Sequence, residues 1–181
     1  MIIFISGGAK NGKSSLAQEL ALTLARGGKH YYVATMIPVD QEDRDRIRRH
    51  VADRAGLGFE TLERGRNLCA CLEGADRSGS FLLDSTTALL MNELFDPQRN
   101  YEMDPEAPAR CREEVLRFVG SVANVVVVSD YIYSDAQRYD PVTETYRKAL
   151  ADIDRAVAAV SDTVIEMSAG QRIVHKGVLP E

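Results

Sequence analysis

The chain has 181 residues, 45% of them apolar and 27% charged, with a formal net charge of −5. That length suits one domain over residues 1–181, and the composition is that of an ordinary soluble globular protein. An acidic balance argues against nucleic acid as a partner, and no apolar run is long enough to span a membrane.

The elements alternate along the chain. Met1–Ser6 reads as a strand, too short and too poor in basic flanks for a signal peptide. Ser14–Arg26 carries Leu16, Ala17, Leu20, Ala21 and Leu24 at helical spacing and stops at Gly27-Gly28. His30–Thr35 is a second strand and Asp40–Arg54 a charged helix. Phe81–Asp84 is a third strand, followed by helix through Phe95. Pro97–Pro108 is expected as a loop and Arg110–Ala123 as a helix. Asn124–Ser129 holds four consecutive valines, which fits a strand buried on both faces. Thr143–Val160 reads as one long helix, Thr163–Met167 as a strand, and Arg172–Lys176 as a last strand. Strands alternating with helices imply an α/β fold with a mostly parallel sheet and helices on both faces.

The strongest local pattern is Gly7-Gly8-Ala9-Lys10-Asn11-Gly12-Lys13-Ser14, which fits G-x-x-x-x-G-K-S/T between a strand and a helix. Gly7 and Gly12 are expected to allow turns that a side chain would forbid. The loop N–H groups and the positive end of the helix would bind phosphate oxygens. Lys13 would reach the β- and γ-phosphates, and the Ser14 hydroxyl would ligate Mg²⁺. The fold is therefore expected to be of the P-loop NTPase (RecA-like) kind. Asp84 closes an apolar strand, where a carboxylate suits a Walker-B role on the metal; the competing reading is a helix cap, because Ser85-Thr86-Thr87 follow. Asp130, after the valine strand, is a second candidate for that role.

On the charged helix, residues four apart share a face, so Arg46, His50 and Arg54 line up, as do Asp45, Arg49 and Asp53. One reading is a solvated face laced with ion pairs such as Glu42–Arg46 and Asp45–Arg49. The other is chemical. A neutral imidazole can attack phosphorus and form a covalent intermediate, with arginines on the phosphates under attack. His30 and His175 lack such surroundings. Of the three cysteines, Cys69, Cys71 and Cys111, the first two could ligate a metal or be small apolar residues; the odd number fits a reducing cytoplasm.

With these residues in view, the chain resembles the adenosylcobinamide kinase/adenosylcobinamide-phosphate guanylyltransferase family. Ser6–Ser14 is similar to T-G-G-A-R-S-G-K-S and Tyr32-Val33-Ala34-Thr35 to Y-I-A-T. The segment Arg46–Arg54 is similar to R-I-x-x-H-x-x-x-R, and Thr61-Leu62-Glu63 to T-x-E. Leu82–Thr87 with Asn92 is similar to L-L-D-C-L-T…N, and Ser168-Ala169-Gly170 with Lys176-Gly177 to the closing A-G…K-x-G.

The resemblance implies that ATP or GTP phosphorylates a corrinoid hydroxyl. It implies that GTP then guanylylates His50 and that the phosphorylated corrinoid takes the GMP. It places Lys13 and His50 in catalysis, and Gly7–Ser14, Thr35, Arg46, Arg54, Glu63 and Asp84 against nucleotide. It implies a cytoplasmic homo-oligomer, a trimer.

The chain departs from the family after the valine strand. Where the family reads N-E-V-G-x-G-I-V-P, this chain has Asp130-Tyr131-Ile132-Tyr133-Ser134-Asp135-Ala136. The family's F-R-D…N-Q appears as Tyr146-Arg147-Lys148…Asp154-Arg155. These changes leave open a relative with one activity or a changed acceptor. A non-catalytic nucleotide-binding regulatory protein is a third reading.

Overall fold

Residues 1–133 and 135–180 are described by a computed structural model. The central strand β1 (Ile2–Gly7) shows how one short apolar run serves two cores. Its side chains alternate, so Ile3 and Ile5 share one core with Leu16, Ala17, Leu20 and Ala21 of helix α1 (Lys13–Ala25), while Phe4 lies in the other. The same alternation runs through β2 (His30–Ala34), β4 (Ser80–Asp84) and the valine strand β5 (Asn124–Asp130). Val126 and Val128 join the α1 side. Val125 and Val127 join the larger core beneath α3 (Thr86–Leu94), α4 (Ala107–Gly120) and α5 (Pro141–Val160). Side chains such as Phe81, Phe118 and Leu150 are fully buried there, each contributing roughly 1.5–3 kcal/mol of burial free energy.

The remaining strands are β3 (Glu60–Glu63), β6 (Thr163–Ser168) and β7 (Gln171–Lys176). The seven-stranded sheet has the order β3-β2-β4-β5-β1-β6-β7. Every neighbouring pair is parallel except β6–β7. Strands β1 and β5 are neighbours, but the helices that follow them cover opposite faces of the sheet. Their carboxyl ends therefore open a crevice, the usual place for a ligand in such a sheet.

One strand and the starts of two helices differ from the sequence reading. Strand β3 was not anticipated: it is a mostly exposed edge with one partner, β2, and its sequence Glu-Thr-Leu-Glu has no apolar run. Helix α4 begins at Ala107, so Pro108 lies in its first turn rather than in a loop; a proline is tolerated there because the first-turn N–H groups lack helical partners. Helix α5 begins at Pro141 for the same reason, with Asp140 accepting from the Val142 and Thr143 N–H groups as its cap.

Cys69 and Cys71 lie in a short 3₁₀ turn, Leu68–Leu72. Cys71 is a core residue whose thiol is pushed up to about 12 by burial. The half-buried Cys69 accepts from Arg117 Nε at 3.3 Å.

Candidate active site

The phosphate loop leaves β1 at its carboxyl end and enters α1 through Gly12, which has φ +85°, a conformation that favours glycine. Gly7 is required for a different reason from the one expected. It is still in the strand, and a Cβ there would lie 2.5 Å from the Met167 carbonyl oxygen of β6. Close approach of two backbones, not an unusual turn, fixes that glycine. Ala9 and Lys10 are exposed at the tip, and Asn11 Nδ2 donates to the Met167 carbonyl at 3.4 Å. Lys13 is buried, and its Nζ lies 2.6 Å from the Gly8 carbonyl and 2.6 Å from Asp130 Oδ1.

Asp84 does not cap the helix that follows it. The cap of α3 is Ser85, whose side chain accepts from the Ala88 N–H. Asp84 Oδ2 instead accepts from Ser14 Oγ at 3.3 Å and from the Tyr32 hydroxyl at 2.7 Å. Burial first, and then the Asp84 charge, hold the Tyr32 phenol far above its ordinary range, so Tyr32 stays a donor. The Arg54 guanidinium lies 4.1 Å from the centre of the Tyr32 ring, and Arg54 also donates to Thr61 Oγ1 at 3.3 Å.

Helix α2 (Gln41–Asp53) has no fully buried side chain. Local terms hold it instead. Asp40 caps it by accepting from the Asp43 N–H at 2.8 Å, and Glu42 and Asp43 place negative charge in its first turn. The ion pair formed along its length is Asp45–Arg48, rather than the Asp45–Arg49 or Glu42–Arg46 pairs expected from spacing. Arg49 reaches the Asp45 carbonyl.

The helix is nonetheless aimed. His50 Nδ1 lies 4.0 Å from Asp84 Oδ2, buried and without a hydrogen-bond partner among the described residues. The imidazole of a charged helix thus faces Asp84, the carboxylate at the end of β4 that accepts from Ser14 of the phosphate loop.

The other candidates are placed unequally. Thr35 is fully buried; its Oγ1 accepts from the Ser85 N–H at 2.7 Å and donates to the Ser85 carbonyl at 2.8 Å. It therefore positions the Asp84-Ser85 junction. Asn92 Nδ2 donates to the Thr35 carbonyl at 2.8 Å and to the Gly65 carbonyl at 3.0 Å, fastening the ends of β2 and β3 to α3. Arg46 is exposed on the helix. Glu63 is exposed at the end of β3, beside Ala34.

On the other side of the phosphate loop stands a second group of side chains that the sequence reading assigned no role. Tyr131 donates its hydroxyl to Glu166 at 3.2 Å, and Glu166 also meets His175 at 2.9 Å. The His175 contact, then the tyrosine, hold the Glu166 carboxyl below its ordinary range. Arg147 ties down the segment after β5 through the Ile132 and Gln137 carbonyls and the Asp135 carboxylate. Ser134 of that segment lies outside the described residues.

Behind it, Asp154 is buried and accepts from Ser129, Tyr133 and Thr86. Burial pushes its carboxyl up to about 6, against those three hydroxyls. The folded state therefore holds this proton more tightly than the unfolded chain does. The associated stability is full below about pH 4 and is lost as pH rises through about 6. Asp154→Asn should remove this slope, worth up to about 3 kcal/mol. Urea unfolding of both proteins across that range checks it, and an unchanged slope in the variant contradicts it.

Comparison with known proteins agrees with the geometry. Among solved structures, the chain is similar to an ATPase from a bacterial type III secretion system, with a TM-score of 0.54 and 14% identity over 92% of this chain and 51% of that one. It thus spans about half the length of that ATPase. It is also similar to the KaiC-like protein PH0186 of Pyrococcus horikoshii, with a TM-score of 0.50 and 11% identity over 97% of this chain and 78% of that one. At such identities these likenesses establish the P-loop, RecA-like fold and nothing further.

The sequence itself carries the closer relation. It is 32% identical over 177 residues to the bifunctional adenosylcobalamin biosynthesis protein CobP of Pseudomonas aeruginosa, covering 96% of each chain. The family model described as cobinamide kinase / cobinamide phosphate guanyltransferase matches residues 3–174. A nucleotide cradle facing a histidine, on a fold and a sequence shared with these enzymes across nearly the whole chain, places the protein in the cobinamide kinase / cobinamide phosphate guanyltransferase family, the bifunctional enzymes of cobalamin biosynthesis.

Proposed function

We propose that residues 1–181 act as one P-loop domain that carries out both transfers on nucleotide held at the same loop. The observation that carries this reading is the approach of His50 Nδ1 to the Asp84 carboxylate that Ser14 bonds, 4.0 Å from Asp84 Oδ2 and with no hydrogen-bond partner among the described residues.

In the kinase reaction, the N–H groups of Gly7–Ser14 and the Lys13 ammonium hold the triphosphate of ATP or GTP for attack by a corrinoid hydroxyl. In the guanylyl transfer, the His50 imidazole attacks the α-phosphorus of GTP. A phosphorus–nitrogen bond forms, the bond to the β-phosphate oxygen breaks, and pyrophosphate leaves with that electron pair. The phosphate of the corrinoid then takes the GMP and frees His50. Arg46 and Arg54 supply positive charge for the phosphates; Arg54 is already held over Tyr32 beside the site. Thr35 acts through Asp84-Ser85, and Glu63 stands at the nucleotide side of β3.

Ser14 and Asp84 fit Mg²⁺, because the donors they bring together are oxygens, the ligands of a hard cation. When bound there, the ion would neutralise charge on the phosphates. The enzyme is read as a cytoplasmic homotrimer, as family membership suggests.

Two assays test this account. Label from γ-phosphate-labelled ATP or GTP should move to cobinamide with the wild-type protein; no transfer contradicts the kinase half. Asp84→Asn should raise the magnesium concentration for half-maximal activity by about tenfold or more. An unchanged requirement would remove Asp84 from the metal.

A further inference from the structure

We propose that Asp130 is the general base of the phosphoryl-transfer step, the carboxylate that takes the proton from the acceptor hydroxyl. This rests on the kinase reading above and assigns its missing catalytic group.

Asp130 ends β5 directly opposite Gly7 in the parallel register, so it stands at the mouth of the phosphate loop. Its Oδ1 lies 2.6 Å from Nζ of Lys13, the residue that reaches the terminal phosphates, and its side chain is 26% exposed. It is therefore both beside the transferred group and open to an acceptor. The backbone on either side is fixed. The Asp130 N–H donates to Thr87 Oγ1 at 2.9 Å, and the Tyr131 N–H donates to the Gly7 carbonyl at 3.2 Å.

The other carboxylates around the loop are committed elsewhere. Asp84 Oδ2 already serves Ser14 and Tyr32 and faces His50. Both Glu166 oxygens are engaged, one by Tyr131 and one by His175. Asp154 is 3% exposed and bonded to three hydroxyls, out of reach of any substrate. Asp130 has only Lys13 as a side-chain partner among the described residues, and that partner is the one a triphosphate competes for.

The sequence of events follows. Phosphate oxygens draw the Lys13 ammonium toward the nucleotide, which frees the Asp130 carboxylate. An acceptor hydroxyl enters between Asp130 and the γ-phosphorus and gives its proton to the carboxylate. Its oxygen forms the new bond to phosphorus while the β–γ bridging bond breaks, the nucleoside diphosphate leaving with the electron pair. The protonated Asp130 then returns its proton to solvent.

The two chemistries thus use neighbouring strand ends on one side of β1: His50 meets Asp84 at the end of β4, and Asp130 ends β5, between β4 and the loop. The charge that holds Asp130 before nucleotide arrives is the same charge that binds the nucleotide.

The test is Asp130→Asn, nearly the same shape without a basic oxygen pair. The kcat for phosphate transfer from ATP to cobinamide should fall by about 10²–10⁴-fold, the usual worth of a general base, with the KM for cobinamide nearly unchanged and the KM for ATP no higher than in the wild type, because Lys13 no longer has a carboxylate to leave. Incorporation of α-phosphate label from GTP onto the protein, measured on the same preparation, should persist and shows the cradle intact. Asp130→Glu, which keeps a carboxylate, should recover part of the lost kcat. A kinase kcat within about tenfold of wild type in the Asn variant would overturn the assignment. So would an equal loss of α-label incorporation, since Asp130 would then be holding the cradle together. The wild type run in parallel separates the two levels: if it phosphorylates no cobinamide, the kinase reading fails and the base fails with it.

Discussion

Lys13→Ala is expected to abolish both transfers, with kcat for each falling by at least about a hundredfold, the scale of losing one preorganised donor to a developing charge. The structure makes the effect larger than the loss of a single cation. Lys13 is buried, and its ammonium is shared between the Gly8 carbonyl and the Asp130 carboxylate. Removing it takes away the charge that meets the phosphates and leaves the Asp130 carboxylate facing them unopposed. Both reactions use a triphosphate, so both should fail together. Parallel assays of γ-phosphate transfer to cobinamide and of α-phosphate incorporation into protein check this. Retained turnover in either would contradict the assignment of the loop as the shared cradle.

His50→Ala is expected to separate the two activities. Guanylyl transfer should fall by about a thousandfold or more, because a nucleophile is lost and positioning alone leaves little. Phosphoryl transfer should continue, since Lys13, Ser14 and the loop N–H groups are untouched. The fold should survive: α2 has no fully buried side chain, and the buried Nδ1 of His50 has no hydrogen bond among the described residues to lose. Thermal unfolding beside the two transfer assays reads all three quantities. Guanylyl transfer that survived the change would place the nucleophile elsewhere.

Local patterns in the sequence carried the phosphate loop, because its function depends on eight consecutive residues between a strand and a helix. The buried strands were equally legible, since β1, β4 and β5 are runs of apolar residues. Strand β3 was not, because an exposed edge has no apolar signature to read. Long-range pairings were the harder part. Tyr32 and Asp84 are 52 residues apart, and adjacent parallel strands bring them within 2.7 Å. Lys13 and Asp130 meet because β1 pairs with β5 in a register that no local pattern reveals. Thr35 shows the converse. A resemblance placed it against nucleotide, but its hydroxyl is spent on both backbone groups of Ser85. His50 was legible through the spacing of its neighbouring arginines and through the resemblance of the segment Arg46–Arg54 to the family pattern. Its aim at Asp84 depends on how α2 sits over the end of the sheet.

The central claim is that His50 carries GMP between GTP and the corrinoid. The direct measurement is to incubate the protein with magnesium and GTP labelled at the α-phosphate, denature it, and follow the label. The account predicts label on the protein that is labile in acid, stable in base and absent from His50→Ala, as a phosphorus–nitrogen bond to that histidine requires. Label that persists in the variant, or a wild type that binds nucleotide and takes up none, would contradict it.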